Sequence, residues 1–268
     1  MTNTLESIMN KNDLTEIANE QYLMVGDFHD EYNIQRDSES FKIDDFRNRY
    51  ALIREEYEET VTGIYGLNKK EIADGLCDIL YFLYGTIHIC GWPTHIPNFE
   101  ELNIDVINPD NDDIEKGKDF VNSRFISYFI NSESIKNSMI DMGDIVREGI
   151  GDIDFKDREI FLINCLSMIK SILCVYVSTN YWLNIVDNYE EVHRSNMDKV
   201  CLTVEDAQKT VEVYGKSNGD PEFAYFVPNE KTGKYLVKRT SDDKVLKRDG
   251  WTPPNIILNV NDPLFPPS

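Results

Sequence analysis

Residues 46–85 read FRNRYALIREEYEETVTGIYGLNKKEIADGLCDILYFLYG, and the placement of acids among apolar residues in this stretch decides the fold. In its first half, Phe46, Tyr50, Ile53, Tyr57 and Ile64 recur at helical spacing and share one face. Glu56 and Glu59 lie together on the edge of that face, while Glu55 and Glu58 point further round toward solvent. The i, i+3 spacing lets Glu56 and Glu59 reach one point. The second half reads as another helix, Lys69 to Cys90, with Asn68 near its N-cap and Gly91-Trp92-Pro93 as its stop. Its apolar residues run nearly all the way round: Ile72, Leu76, Ile79, Leu80 and Leu83 on one side, Ala73, Cys77, Phe82 and Tyr84 on the flanks. Such a helix should be buried.

Within that apolar helix, Glu71, Asp74 and Asp78 form one narrow stripe at i, i+3 and i+7. Burying an ionised carboxylate is costly unless it is paired or binds metal. Cations nearby in sequence are scarce: Lys69 and Lys70 open the helix, and nothing basic follows until Lys116. A run such as EExEE is by itself most often a solvated helix face. Followed after one short turn by the second acidic stripe, it points instead to converging carboxylates, the hard oxygen ligands that suit Mg²⁺ or Mn²⁺. A metal held there orients a triphosphate and activates water for attack on phosphorus. A ferritin-like di-iron site needs two Glu-x-x-His motifs, and only Glu190–His193 fits, once.

The rest of the chain frames this hairpin. Leu14–Ile34 is expected to be a first helix, and Phe41–Tyr65 a second, capped by Asp37 or Ser40 and ended at Gly63 and Gly66. Residues 93–115 carry Pro93, Pro97, Pro109 and many Asn and Asp, the composition of a surface loop or insertion. One or two short helices are expected in Phe120–Arg147, and a long helical stretch in Asp157–Val192 with a break near Ser178-Thr179-Asn180. Val204–Tyr214 reads as a short helix opened by Thr203. Phe223–Val227, Tyr235–Arg239 and Lys244–Lys247 read as strands joined by turns at 231–233 and 241–243, before an extended tail from Trp251 that holds five of the ten prolines. The fold expected is mainly α, an antiparallel helical bundle with a small C-terminal β element. Its parts are 1–92 and 156–216 as the two halves of the helical core, 93–155 as an insertion, and 217–268 as hairpin and tail.

The formal net charge of −21 argues against a nucleic-acid partner, which requires clustered Lys and Arg. Five cysteines without a C-x-x-C pair read as free thiols, four of them in apolar helical runs, in a reducing compartment. MTNTLESIMNKNDL lacks the basic and apolar regions of a signal peptide, and the apolar run Ile160–Val177 is interrupted by Asn164, Ser167, Lys170 and Ser171. A cytoplasmic protein with no membrane partner is expected.

The order E-E-x-x-E, a Gly-containing turn, then E-x-x-D-x-x-x-D-I-L-Y resembles the all-α nucleoside triphosphate pyrophosphohydrolases, the MazG-like and phosphoribosyl-ATP pyrophosphohydrolase-like enzymes. Other stretches resemble a phage and bacterial branch of that superfamily: residues 25–29 (VGDFH), 78–86 (DILYFLYGT), 192–199 (VHRSNMDK), and 244–247 (KVLK) with Pro253-Pro254. The resemblance implies Mg²⁺-dependent hydrolysis of a nucleoside triphosphate, a dNTP foremost, to monophosphate and pyrophosphate. It implies Glu56, Glu59, Asp74 and Asp78 as metal ligands. The usual second motif has Glu three residues before its closing Asp. Here Gly75 stands in that place, with Asp74 as the substitute and Glu71 an outer candidate. Glu55, Glu56 and Glu71 are the catalytic candidates, with Glu55 or Glu71 as base for the water. Asn196, Lys199, Lys70, Tyr81 and Lys244 are the substrate-binding candidates, with Lys247 and Arg54 as further cations. Members of the superfamily commonly dimerise, so a homo-oligomer is expected. The altered motif leaves a non-catalytic nucleotide-binding protein as the alternative.

Overall fold

The computed structural model describes residues 11–34, 42–66, 68–91, 95–99, 129, 132–149, 155–178 and 184–258. Among them are seven helices: α1 (Lys11–Glu31), α2 (Ile43–Tyr65), α3 (Lys69–Ile89), α4 (Glu133–Glu148), α5 (Phe155–Ser178), α6 (Ile185–Met197) and α7 (Val204–Asn218). Two strands follow, β1 (Ala224–Pro228) and β2 (Tyr235–Arg239), paired antiparallel with Phe226 opposite Val237. The protein is mainly α with a small β element, as the periodicities predict.

The all-round apolarity of α3 has a plain cause, because α1, α2, α5 and α6 all pack against it. Leu76, Ile79, Leu80, Leu83 and Tyr84 are fully buried, and Phe46 of α2 meets Phe161 of α5 edge-on at 4.5 Å. By length and composition α3 and residues 155–176 of α5 would also suffice to cross a membrane, but 78% and 67% of their apolar windows are buried within this fold. Parts of the stretch read as an insertion are among the described residues. Its Ile96, Phe99 and Phe129 are buried, and α4 packs on α2 and α5.

Several local expectations change. The N-cap of α2 is Lys42, whose backbone N–H donates to Asp45 Oδ2 at 2.8 Å; Asp37 and Ser40 lie outside the described residues. Helix α4 occupies the end of the Phe120–Arg147 stretch, whose first part also lies outside them. Helix α5 ends at Ser178 and α6 begins at Ile185, on either side of the expected break, while residues 179–183 lie outside the described residues. Thr203 caps α7 by accepting from Asp206 N–H, and the helix runs past Tyr214 to a left-handed Gly219. Lys244–Lys247 is not a strand: only Val245 bridges to Lys238, and Arg248 is then drawn away to Asp198. Cys77, Cys90, Cys165 and Cys201 are buried, Cys174 is half-buried, and all five are free thiols.

Helices α2 and α3 approach closely at two glycines. A Cβ on Gly75 would stand 2.3 Å from Thr60 Oγ1, and one on Gly63 would stand 3.1 Å from Glu71 Cβ. Gly75 is thus the flat spot that seats fully buried Thr60. Gly75→Ala should destabilise the protein by about 1–3 kcal/mol through overpacking. Thr60→Ala in the same chain should recover most of that loss. Chemical denaturation of both single variants and the double variant reads the coupling; additive effects would show that the contact is loose.

Candidate active site

The short turn between α2 and α3 folds them into a hairpin, and the close approach at Gly75 sets their acidic edges against each other. From α2 come half-buried Glu56 and exposed Glu59; from α3 come half-buried Asp74 and Asp78. Asp74 Oδ1 is buried with no hydrogen-bond partner among the described residues. Burial pushes the Glu56 carboxyl up to about 8, and repulsion from Asp78, Glu59, Glu55 and Asp74 adds to it. Asp78 is pushed up to about 7, first by burial and then by Asp74 and Glu59, against the pull of Lys199 and Lys247. Asp74 is raised by burial and by Glu71 and Glu59, against Lys247. The four acids expected as ligands therefore feel one another across the hairpin. Among the described residues, no three His, Cys, Asp or Glu side chains stand close enough to enclose a metal ion as placed.

The basic side of the site comes from the C-terminal end of α6 and the chain beyond it. Lys199, half-buried, donates to Asn196 Oδ1 at 2.6 Å. Burial lowers the pKa of its ammonium, the Asp78 charge opposes this, and Lys247 and Lys244 add to the lowering. Tyr81 Oη lies 3.1 Å from His193 Nδ1. The imidazole pKa is lowered by burial, with Asp27 opposing, and the phenol pKa is raised by burial. Lys199 with Asn196 and Tyr81 with His193 are thus two hydrogen-bonded pairs on this side of the site.

The remaining candidates sort by position. Tyr81 is 6% exposed, with its ring against Phe28 and Tyr189, so its hydroxyl meets His193 and its ring offers a nucleobase no face. Glu55 and Glu71 are exposed at the rim of the cluster. Lys70 is exposed in the first turn of α3 and makes no ion pair among the described residues. Arg54 pairs with Glu58 at 2.7 Å on the solvent side of α2. Lys244 is exposed in the turn after β2, near enough to influence Lys199.

The sequence reading missed what holds the basic side in place. Asp198 accepts from Arg248 Nη2 at 2.6 Å and from Thr252 N–H at 2.9 Å. Trp251 Nε1 donates to Ser195 O, and Asn188 exchanges two bonds with the backbone of Ile257. Residues 248–257 are thereby strapped along α6. Farther back, Asn229 of the hairpin donates to the carbonyls of Asp30 and Glu31 at the end of α1. None of these long-range pairs leaves a periodic mark; the nearest hint is the acid in the SNMDK stretch itself.

Residues 26–95 match the model of the phosphoribosyl-ATP pyrophosphohydrolase family. The match takes in the later part of α1 with all of α2 and α3, so the resemblance read from the acidic motifs holds for the hairpin that carries them. The segment is similar to that family, which suggests a nucleotide pyrophosphohydrolase activity. An uncharacterized protein of Acanthamoeba polyphaga mimivirus is 25% identical over 227 residues, covering 77% of this chain and 80% of its own length. That similarity reaches well beyond the matched segment. No solved structure matches the chain.

The raised acids set a pH dependence. With folded-state values above the unfolded ones, the folded protein binds more protons, so stability is lost as pH rises between about 4 and about 8. The melting temperature of the protein stripped of metal should fall across that window, and Glu56→Gln should flatten the fall. Adding Mg²⁺ or Mn²⁺ should raise it more at the alkaline end, where the acids are free of protons. A melting temperature independent of pH, or a metal effect equal at both ends, would contradict the proximity of these acids.

Proposed function

We propose that this protein hydrolyses a nucleoside triphosphate, a deoxynucleotide foremost, to the monophosphate and pyrophosphate, with Mg²⁺ as cofactor and Mn²⁺ as a substitute. The observation that carries the reading is the set of half-buried carboxylates Glu56, Asp74 and Asp78 on the two closely approaching helices of the α2–α3 hairpin, within a segment similar to the phosphoribosyl-ATP pyrophosphohydrolase family. Glu56, Glu59, Asp74 and Asp78 would hold the metal. They are oxygen-only donors suited to a hard cation, and Asp74 Oδ1 is a buried acceptor with no hydrogen-bond partner among the described residues. Bringing them onto one ion requires rotation of the glutamate side chains between staggered states. When bound, Mg²⁺ supplies charge neutralisation for the phosphate oxygens and a water of lowered pKa.

The chain's own residues supply position and proton transfer. Lys199, fixed by Asn196, sets a positive charge against the phosphates, and Lys244 adds a second from its turn. Glu55 or Glu71 at the rim takes the proton from the water that attacks the α-phosphorus. The bond from that phosphorus to the bridging oxygen breaks, and pyrophosphate leaves. The same reading has the protein working in the cytoplasm as a homodimer or higher oligomer, with no membrane or nucleic-acid partner.

One observation favours a second reading. The Thr60 contact leaves no room at position 75 for the glutamate of the usual motif. A protein short of one ligand would hold a nucleotide without turning it over.

The test is a panel of NTPs, dNTPs and phosphoribosyl-ATP with Mg²⁺, its products resolved by chromatography, beside the Glu59→Gln variant. Monophosphate and pyrophosphate are expected, with kcat/KM about 100-fold lower or worse in the variant, since metal-held charge stabilisation contributes several kcal/mol. Diphosphate and orthophosphate would contradict the attack position. Tight retention without turnover would establish the binding protein.

A further inference from the structure

Lys199 and Lys247 flank one clamp. Asp198, the neighbour of Lys199, grips Arg248, the neighbour of Lys247, through its carboxylate and also accepts from Arg248 Nε at its carbonyl. The clamp thus ties together the two stretches that carry these lysines, although 48 positions separate Lys199 from Lys247 in sequence. Lys247 Nζ sits 3.7 Å from the ring centre of Trp251, a cation–π contact. Trp251 is itself pinned by its indole N–H to Ser195 O at 2.8 Å. An exposed lysine tethered in this way has lost freedom that a solvated lysine keeps. Its charge is felt by Asp74, Asp78 and Lys199, all at the carboxylate site.

We propose that Lys247, delivered by the C-terminal strap and held on the ring of Trp251, is a phosphate-gripping residue of the α2–α3 carboxylate site. This rests on the reading of that site as one for metal and polyphosphate, and it extends the site to residues outside the matched segment 26–95. Lys247 has two opposed roles. Without ligand it is a counter-ion that offsets the repulsion among the acids, so it competes with a divalent cation for them. With a metal-bound polyphosphate present, it faces the anion and adds to its binding. Trp251 is a positioning residue: it keeps the ammonium near the acids instead of free in solvent.

The opposed roles give a test that a merely structural lysine would fail. Binding of Mn²⁺ alone, and of inorganic tripolyphosphate in the presence of Mg²⁺, is measured by calorimetry on the full chain. Lys247→Ala should bind Mn²⁺ about two- to threefold more tightly and tripolyphosphate about tenfold more weakly, the scale expected of one partly screened charge. Lys247→Arg should stay near the wild type in both. Trp251→Leu should weaken tripolyphosphate binding about threefold, and its melting temperature reports whether the strap has stayed in place. Lys247→Ala changes of the same sign for both ligands, or no change in either, would overturn the proposal. If the wild type hydrolyses nucleotides while Lys247→Ala leaves both affinities intact, the role of Lys247 is refuted and the function stands. If the wild type binds neither probe, both fall.

Discussion

The contact between Gly75 of α3 and Thr60 of α2 is the constraint on which the site depends. A side chain at position 75 would hold the helices apart by the width of a methyl group or more, because Thr60 already fills the space. With nothing there, the two backbones approach, and Glu56 and Glu59 on one helix come near enough to Asp74 and Asp78 on the other to raise their carboxyl pKa values. The departure from the usual motif is thus a packing solution. It exchanges one carboxylate for close approach, and Asp74, one residue earlier, stands in the cluster.

Close approach has an electrostatic consequence. Four half-buried or rim carboxylates repel one another, and two of them are pushed up to about 7 and about 8. Such a cluster persists only because something offsets it: protons, a cation, or lysines brought from elsewhere. The chain brings Lys199 just past the end of α6 and Lys247 beyond β2, and it commits much polar structure to holding them. Asp198 with Arg248 and Thr252, Ser195 with Trp251, and Asn196 with Lys199 all anchor this basic side. The β hairpin and strap therefore belong to the site's architecture as much as the helices do.

The helices and the four acids were legible in the sequence because both obey a local period. Glu56 and Glu59 lie on one edge at i, i+3, and the stripe Glu71, Asp74, Asp78 stands out against an apolar helix whose burial on four sides needs no other cause. The caps at Asn68 and Thr203 were legible from the chemistry of a few adjacent residues. What escaped depends on distant partners. Trp251 reads as the head of a proline-rich tail until Ser195 is seen beneath its indole. Tyr81 reads as a substrate-binding candidate until Phe28 and Tyr189 are seen around its ring. Lys244–Lys247 alternates like a strand, but the pull of Asp198 on Arg248 takes the chain off the sheet after one bridge.

The most direct test of the central claim is hydrolysis of the preferred triphosphate in ¹⁸O-labelled water, with mass analysis of both products. Water delivered at the carboxylate hairpin to the α-phosphorus predicts one ¹⁸O in the monophosphate and none in the pyrophosphate. Label in the pyrophosphate, or no turnover of any nucleotide with metal present, would contradict the account.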